Sequence, residues 1–302
     1  MEMKKYIDIE RVKESYKAAF KVGEHIVVTE KVDGANASIR YDSETDSIIC
    51  FSRKKKLNSE NNLRGFFEFV QTLDKDIIKE STENGRYIIF GEWLVKHSIK
   101  YPEEVMNKFY VFDVFDTETN EFVSWFIVKE IADKIGLILV PLIYDGEFTS
   151  WDDLNHFVGK TALNAIPCGE GIVIKSQDRL DNKYSETPAY VKIVSSGMSE
   201  VQEQNKSAKA KKQDSDSAKY IEIVSTIVTE PRVRKILNKF IDDGIIPIDF
   251  DEKSFGLIAK TVPKEVYEDC LKEEPETVEL VENFGKYCTK VTMSIIKNLI
   301  IS

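Results

Sequence analysis

The sequence contains few of the residues that build zinc sites, disulfide frameworks or histidine-based catalytic triads. Its three histidines are scattered, and its four cysteines (Cys50, Cys168, Cys270 and Cys288) lack the spacing of metal ligands. Scattered cysteines are typical of reduced, mostly buried thiols, because disulfide frameworks belong to oxidising compartments. We therefore expect no zinc site and no disulfide framework, and we expect a cytoplasmic protein.

Long apolar runs and an excess of positive charge are also missing. No stretch is apolar over the length of a membrane span, and residues 1–6 lack the apolar core of a signal peptide. We therefore expect no association with a membrane. The formal net charge of −10 argues against a surface coated in positive charge for non-specific nucleic-acid binding. It does not exclude a local basic groove.

Length and composition indicate a folded protein with two domains. The chain has 302 residues, of which 42% are hydrophobic. Alternating and helical patterns are mixed up to about residue 194, and the pattern is helical from residue 220 onward. We predict the α+β fold class: a catalytic domain over 1–200, a polar linker over 201–219 and a small all-helical domain over 220–302.

Hydrophobic periodicity predicts the elements within these domains. Predicted strands cover 25–31, 36–42, 47–53, 86–90, 108–115, 122–126, 169–175 and 189–194. Predicted helices cover 7–20, 61–80, 127–135 and 150–159, with later helices starting near 220, at Pro231, at Pro263 and near 276. A short strand around 245–248 is an alternative to loop.

One short stretch stands between two predicted strands and carries a lysine at a strand end. It reads Glu30-Lys31-Val32-Asp33-Gly34-Ala35-Asn36. Lys-x-Asp-Gly has the form of the nucleophile motif of covalent nucleotidyltransferases, in which the lysine amine attacks the α-phosphate of a nucleotide. Taken alone, the motif is also consistent with a solvated turn, since four residues recur by chance.

Other polar residues lie at strand ends or inside apolar strands. Glu92 follows a strand and Gly91, and Lys192 lies within an apolar strand, where an ammonium needs water or an anion. Arg53 begins a run of four cations that predicts either a solvated loop or an edge facing phosphates. Phe112 lies in the most apolar strand and is either a core aromatic or a platform for a purine.

Six short motifs follow one another along the chain: Glu30 to Gly34, Ser52-Arg53, Phe90 to Trp93, Phe109 to Asp113, Glu170 to Lys175 and Val191-Lys192. Their order resembles that of the covalent nucleotidyltransferases, and most closely that of ATP-dependent RNA ligases of the RNA ligase 2 type. The helical pattern after residue 219 fits this branch better than DNA ligases or capping enzymes, which carry a β-rich domain there.

The resemblance implies an adenylyltransferase domain with antiparallel sheets and flanking helices, and a three-step reaction. Lys31 takes AMP from ATP, the AMP passes to the 5′-phosphate of an RNA, and a 3′-hydroxyl displaces it to seal the strand. The expected cofactors are ATP and Mg²⁺, with Mn²⁺ as an alternative ion. The expected partner is RNA with 5′-phosphate and 3′-hydroxyl ends, bound by a monomer.

The resemblance also implies roles for individual residues. Glu170 would bind the metal, Glu92 the ribose and Phe112 the adenine, while Asn36 and Arg53 would orient the 5′-phosphate. Nearby cations such as Arg53 and Lys192 would hold Lys31 neutral. The implied catalytic set is Lys31, Asp33, Arg53, Glu170 and Lys192. The implied nucleotide-binding set is Glu30, Lys31, Asn36, Arg53, Glu92, Phe112, Glu170, Lys175 and Lys192.

Two positions depart from the pattern of these relatives. Asp33 replaces a histidine found in some of them, and Val194 stands where the last motif usually has a second lysine. Lys175 would be a substitute if its strand lay alongside. Two alternatives stay open: a ligase acting mainly on DNA or hybrid nicks, and a non-catalytic RNA-binding protein with the ligase fold.

Overall fold

The structure is a computed structural model that describes residues 3–12, 17–179, 188–195 and 215–301. It divides into two compact units, Met1–Ser195 and Ser196–Ser302. None of the helices in the described residues is both long and apolar enough to cross a membrane.

The first unit contains eleven strands among its described residues, together with four α-helices. The strands are β1 Glu10–Arg11, β2 His25–Glu30, β3 Ala35–Asp42, β4 Ser47–Ser52, β5 Tyr87–Trp93, β6 Phe109–Asp116, β7 Glu121–Phe122, β8 Ile138–Leu139, β9 Leu142–Glu147, β10 Gly171–Ser176 and β11 Tyr190–Val194. The helices are α1 Phe66–Gln71, α2 Lys75–Ser81, α3 Trp125–Ile135 and α4 Trp151–Asn155.

These strands form two sheets. Sheet A has the order β1-β11-β10-β2-β9, and sheet B has the order β4-β3-β5-β6-β7 with β8 beside β6. All pairings are antiparallel except β1 with β11 and β6 with β8. The mixed α+β class with antiparallel sheets is therefore confirmed.

Buried apolar side chains fasten the sheets to the helices and to each other. Ile172 and Ile174 of β10 pack with Leu154 of α4, so that one face of sheet A is covered. A separate aromatic cluster, which includes Phe90 of sheet B and Tyr190 of sheet A, joins the two sheets. The two sheets are therefore packed together at this cluster.

The predicted helix over residues 7–20 is wrong. The described residues 3–12 contain no helix, β1 occupies Glu10–Arg11, and residues 13–16 lie outside the described part. Ile7 and Ile9 pack side by side on the aromatic cluster, two positions apart. Their spacing of two is that of an extended chain, and it was hidden among residues that also match a helical period.

The predicted helix over 61–80 is two helices, α1 and α2. Asp74 ends the continuity because its carboxylate accepts hydrogen bonds from the backbone N–H groups of Asp76 and Ile77, which caps α2. The strand predicted over 122–126 is only two residues long, since α3 already begins at Trp125.

The second unit is helical in its described residues, with α5 Ser215–Ile227, α6 Glu230–Asp242, α7 Phe255–Glu273, α8 Pro275–Glu279 and α9 Phe284–Ile301. The start of α6 with Pro231 in its first turn is confirmed, and Thr229 caps it. Pro263 lies inside α7, so the prediction that it opens a helix is wrong. Of the predicted linker, residues 201–214 lie outside the described part, and residues 215–219 belong to α5.

Candidate active site

Lys31 immediately follows β2 and is held beside the start of β10. Its backbone N–H donates to the carbonyl of Gly171 at 2.9 Å. Its ammonium donates to Oε2 of Glu170 at 2.6 Å, and the two side chains are 21% and 7% exposed. The antiparallel pairing of β2 with β10 therefore brings together a lysine and a carboxylate that are 139 residues apart.

Glu92 lies at the end of β5, next to the turn that follows Lys31. Its Oε1 accepts a hydrogen bond from the backbone N–H of Gly34 at 3.2 Å. Asn36 is its register partner on β3, so the two side chains lie on the same face of sheet B. This pairing places Glu92 and Asn36 together beside the turn that follows Lys31.

The charges around Lys31 shift the pKa values of this cluster. Burial lowers the pKa of Lys31, but the carboxylates of Glu170, Glu92 and Asp33 outweigh burial, and the net pKa lies above its ordinary value. Burial raises the pKa of Glu92 to about 7, although the charge of Lys31 opposes the shift. The expectation that neighbouring cations hold Lys31 neutral is therefore wrong for the ligand-free site, where carboxylates surround it.

Asp33 is buried and bound to a segment that sequence reasoning did not single out. Its Oδ2 accepts from the backbone N–H of Ile99 at 2.8 Å, and its own backbone N–H donates to the Tyr101 hydroxyl at 3.0 Å. Nδ1 of His97 lies 3.5 Å from its Oδ1. Burial raises the pKa of Asp33, but its contact with His97 and the charge of Lys31 lower it below its usual value.

Phe112 occupies an irregular position in sheet B. Phe90 pairs with Asp113 and Gly91 pairs with Val111, so Phe112 has no register partner and forms a β-bulge. Bulges re-aim a side chain away from the regular pleat, and Phe112 is half-buried among otherwise buried neighbours. A β-carbon at Gly91 would meet the ring of Phe109 at 2.5 Å. The glycine is therefore required by an aromatic neighbour rather than by a ligand.

Lys175 is buried beneath Phe112 and joins the two sheets. Its ammonium donates to Oδ2 of Asp113 at 2.8 Å and to the carbonyl of Phe112 at 2.6 Å. The hydroxyl of Tyr6 donates to the same Asp113 oxygen at 2.8 Å, and the Tyr6 ring meets the Phe112 ring edge-on. Burial raises the pKa of Asp113, although Lys175 opposes the shift.

Lys175 does not lie where the missing second lysine would be. Its strand pairs with β11 as expected, but Lys175 pairs with Tyr190, whereas Val194 pairs with Gly171. Four residues of strand separate these pairs, or about 13 Å. Together with its bonds to Asp113, this register argues against Lys175 as a substitute for a lysine at position 194.

Lys192 lies two pairs along the register of sheet A from Lys175. It pairs with Val173 on one side and with Arg11 of β1 on the other, and Val173 pairs in turn with Thr29. Register partners point to one face, so Lys192 and Arg11 share the face from which Lys175 reaches sheet B. Arg11 is a cation that sequence reasoning missed, because residues 7–20 were read as a helix.

The two remaining predicted residues have partners of their own. A carboxylate oxygen of Glu30 accepts from the backbone N–H of Ala162 at 2.8 Å, and burial raises the pKa of Glu30. The guanidinium of Arg53, just after β4, donates to the Asp8 carboxylate. The lysines at 54–56 are exposed.

The geometry thus brings Lys31, Glu170, Glu92 and Asp33 into one cluster, with Asn36 beside it. No group of three or more His, Cys, Asp or Glu side chains in the described residues is arranged to hold a metal ion. Glu170 alone fits Mg²⁺ nonetheless, because this ion is commonly held by one or two carboxylates together with substrate phosphates.

Comparisons with known proteins place this chain beside one family. The model of the family described as RNA ligase matches residues 24–194. Similar solved structures include Naegleria gruberi RNA ligase with PPi, at 19% identity and a TM-score of 0.46, covering 67% of this chain and 59% of that chain. Two mutants of that ligase, one with ATP and Mn and one with AMP and Mn, match at 19% and 18% identity with TM-scores of 0.47, over the same shares of both chains.

No curated protein matches the sequence. The chain spans about three-fifths of the length of the solved structures that it matches. Since the family model covers more than half of the chain and includes the whole Lys31 cluster, the protein belongs to the RNA ligase family.

Proposed function

We propose that this protein is an ATP-dependent RNA ligase that forms a lysyl-AMP intermediate on Lys31 and seals RNA breaks. Membership of the RNA ligase family supports the reaction class. The observation that carries the proposal is the position of the Lys31 amine, 2.6 Å from Glu170, on a turn whose Gly34 is bonded to Glu92.

In the first step, Lys31 Nζ attacks the α-phosphorus of ATP. A P–N bond forms, the P–O bond to pyrophosphate breaks, and the ammonium gives up a proton. The raised pKa of Lys31 in the ligand-free site holds that proton, and Glu170 holds the amine in place. Loss of the proton therefore requires that the negative charge around Lys31 be reduced when the nucleotide binds.

The remaining residues fit the parts of a nucleotide. Phe112, re-aimed by its bulge, would stack on adenine, and Glu92 would accept from the ribose hydroxyls. Lys192 would face the α-phosphate and oppose the charge that develops in the attack. Lys175 and Glu30 would act by supporting this pocket, since both side chains already have bonds within the protein.

Mg²⁺, when bound with ATP, supplies positive charge that neutralises phosphate oxygens and offsets Glu170. Mn²⁺ would act in the same way. Glu170 would hold the ion through its carboxylate, and no other metal ligand is proposed.

The later steps need RNA, and the exposed cations after β4 would bind its backbone. Arg53 and Asn36 would orient the 5′-phosphate that receives AMP, and the 3′-hydroxyl of the second strand would then displace AMP. The helical unit would help to hold the RNA in these steps. We propose a monomer that seals RNA nicks or breaks in the cytoplasm.

Val194 favours one alternative. Since Lys175 pairs with Asp113 instead of replacing a second lysine, the chain would be a protein that binds RNA, or that accepts AMP, without sealing. A ligase acting mainly on DNA or hybrid nicks shares the same first step and is distinguished only by substrate.

Sealing assays separate these possibilities. The protein would be incubated with Mg²⁺ and ATP, or with GTP in parallel, and then given matched RNA, hybrid and DNA nicks with 5′-phosphate and 3′-hydroxyl ends. We expect sealing with ATP, fastest on RNA. Sealing confined to DNA would indicate that DNA, and not RNA, is the substrate. A GMP adduct would indicate a capping-type guanylyltransferase. AMP transfer without sealing would support the alternative based on Val194.

A further inference from the structure

Residues 97–101, which we call the strap, hold Asp33 in the turn that carries Lys31. Three of its groups converge on Asp33: the backbone N–H of Ile99, the hydroxyl of Tyr101 and the ring of His97. Asp33 is two residues from Lys31, so the strap, together with the bonds of the turn to Gly171 and Glu92, holds the turn from which the lysine projects.

His97 is the buried member of a chain of polar contacts. Its side chain is 5% exposed, and the side chain of Asp33, which faces its Nδ1, is 9% exposed. On the other side, Nη2 of Arg64 lies 3.4 Å from Nε2 of His97. Nη1 of Arg64 also donates to the carbonyl of Lys96 at 2.7 Å, which holds the guanidinium against the strap.

The donors and acceptors in this chain assign the ring's proton. A guanidinium only donates, so Nε2 of His97 accepts from Arg64 and the proton lies on Nδ1, facing the carboxylate of Asp33. In this tautomer the Nδ1–H of the neutral imidazole donates to Asp33, and Arg64 favours the tautomer by donating to Nε2. The same polarity recurs in metal and catalytic sites where a second group fixes the orientation of a functional one.

We propose that His97, oriented by Arg64, is a positioning residue that holds Asp33 and thereby aims Lys31 at the α-phosphate. The inference rests on the proposed ligase function. An apolar residue would fill the same space, but it would remove the ring partner of Asp33 Oδ1, leave only the Ile99 bond on the carboxylate and free the turn to shift. A shift of about 1 Å at a reacting group costs roughly 100-fold in rate.

Two variants of His97 separate positioning from simple packing. His97→Asn keeps a donor and an acceptor on a smaller side chain, whereas His97→Leu keeps the volume and loses both. The rate of Lys31–AMP formation would be measured against ATP concentration, with folding checked by thermal unfolding. His25→Leu is the matched control, because His25 forms an exposed pair with Asp145 at 2.6 Å that touches no proposed site residue.

We expect His97→Leu to slow adduct formation at saturating ATP by roughly 10- to 100-fold with little change in KM. His97→Asn should recover most of the rate, and His25→Leu should match the wild type. Equal rates in the wild type and His97→Leu, or equal losses in the Leu and Asn variants, would overturn the positioning role.

Arg64→Met provides a second test that leaves His97 in place, in case the Leu variant does not fold. It should slow adduct formation in the same way with KM unchanged, and a wild-type rate would contradict the inference. Absence of any adduct on the wild-type protein would instead overturn the proposed function, so the two failures are distinguishable.

Discussion

The carboxylates around Lys31 oppose the loss of its ammonium proton. Three carboxylates, from Glu170, Glu92 and Asp33, surround one ammonium and raise its pKa. A lysine nucleophile must be neutral when it attacks. The ligand-free site therefore holds Lys31 in its protonated form, and the attack that we propose requires that bound phosphates and a cation first change the local charge.

Glu92 gives a measurable signature of this crowding. Its pKa is raised from 4.5 to about 7, so between these values the folded state binds a proton that the unfolded state releases. Its contribution to stability is present below about pH 4.5 and is lost as the pH rises through about 7. We expect wild-type stability to fall relative to Glu92→Gln between pH 5 and pH 8, because glutamine carries no buried charge.

Urea unfolding of both proteins at pH 5 and pH 8 measures that difference. Asp153 offers a control, since its pKa is lowered by Ser150 at the exposed start of α4. Asp153→Asn should differ from the wild type by the same amount at pH 5 and at pH 8, because a carboxyl whose pKa lies below 3.8 is ionised in the folded and the unfolded state at both pH values. A difference between wild type and Glu92→Gln that does not change with pH would contradict the raised pKa of Glu92.

Residues of the site differ in how visible they are in the sequence. Lys31 and Glu92 are predictable because each lies at the end of an apolar strand with a glycine within three residues, and local patterns mark such ends. His97 and Tyr101 are not predictable, because their significance comes from Asp33, which is 64 or more residues away. Lys175 shows the opposite case. The sequence indicates it as a candidate site residue, but only the strand register and its hydrogen bond identify Asp113 as its partner.

At the scale of elements, the bulge in β6 is the feature on which the proposed adenine contact of Phe112 depends. Gly91 makes it possible, since an added β-carbon would lie 2.5 Å from the ring of Phe109 and 2.7 Å from the carbonyl of Tyr110. We expect Gly91→Ala to destabilise the first unit by about 1–3 kcal/mol, because the core would have to shift. Urea unfolding measures the loss.

Gly256→Ala is the matched control for this change. Gly256 lies exposed in the first turn of α7, and an added β-carbon would meet nothing within 4 Å. The substitution should stabilise the protein by up to about 1 kcal/mol, since alanine favours the helix. Equal effects of the two substitutions would show that the ring of Phe109 does not limit space at Gly91.

The buried Lys175–Asp113 pair links sheet A to sheet B, and removing one partner should lower the free energy of unfolding strongly. Removing one partner of a buried pair leaves an uncompensated charge, so Lys175→Met should cost about 3–5 kcal/mol. Lys129→Met removes one partner of an exposed pair with Asp133 and should cost less than about 1 kcal/mol. Adding Asp113→Leu to Lys175→Met should recover part of the loss, and no recovery would argue against the ion pair.

Elements with one strong period were predictable, and elements with competing signals were not. The aromatic run that forms β6 could only be a buried strand, and the structure has it at Phe109–Asp116. The segment before residue 12 carries apolar residues that fit both periods, and tertiary contacts of Tyr6 and Ile9 decide for the extended form. In α7, Pro263 follows eight helical residues, so a typical first-turn residue occurs in a helix interior.

For the whole molecule, the two units have separate hydrophobic cores. The first unit buries its side chains around both sheets, and the second buries its own between α5, α6, α7 and α9. We therefore expect a chain of residues 1–206 to fold alone and to form the AMP adduct on Lys31. Sealing of a nicked RNA duplex should fall, because the helical unit is proposed to hold RNA.

Intact mass and a gel-based sealing assay on the truncated chain test this division. Full sealing activity would contradict the role of the helical unit. Loss of the adduct in a truncated chain that remains folded would instead show that the second unit contributes to the first step.

The most direct measurement of the central claim is the mass of the intact protein after incubation with Mg²⁺ and ATP, followed by digestion to locate the adduct. The protein would first be treated with pyrophosphate, which removes AMP already bound, and Lys31→Ala would be run in parallel. The account predicts one AMP on Lys31 of the wild type and none on the variant. An adduct that persists in Lys31→Ala, or a wild-type protein that stays unmodified, would contradict it.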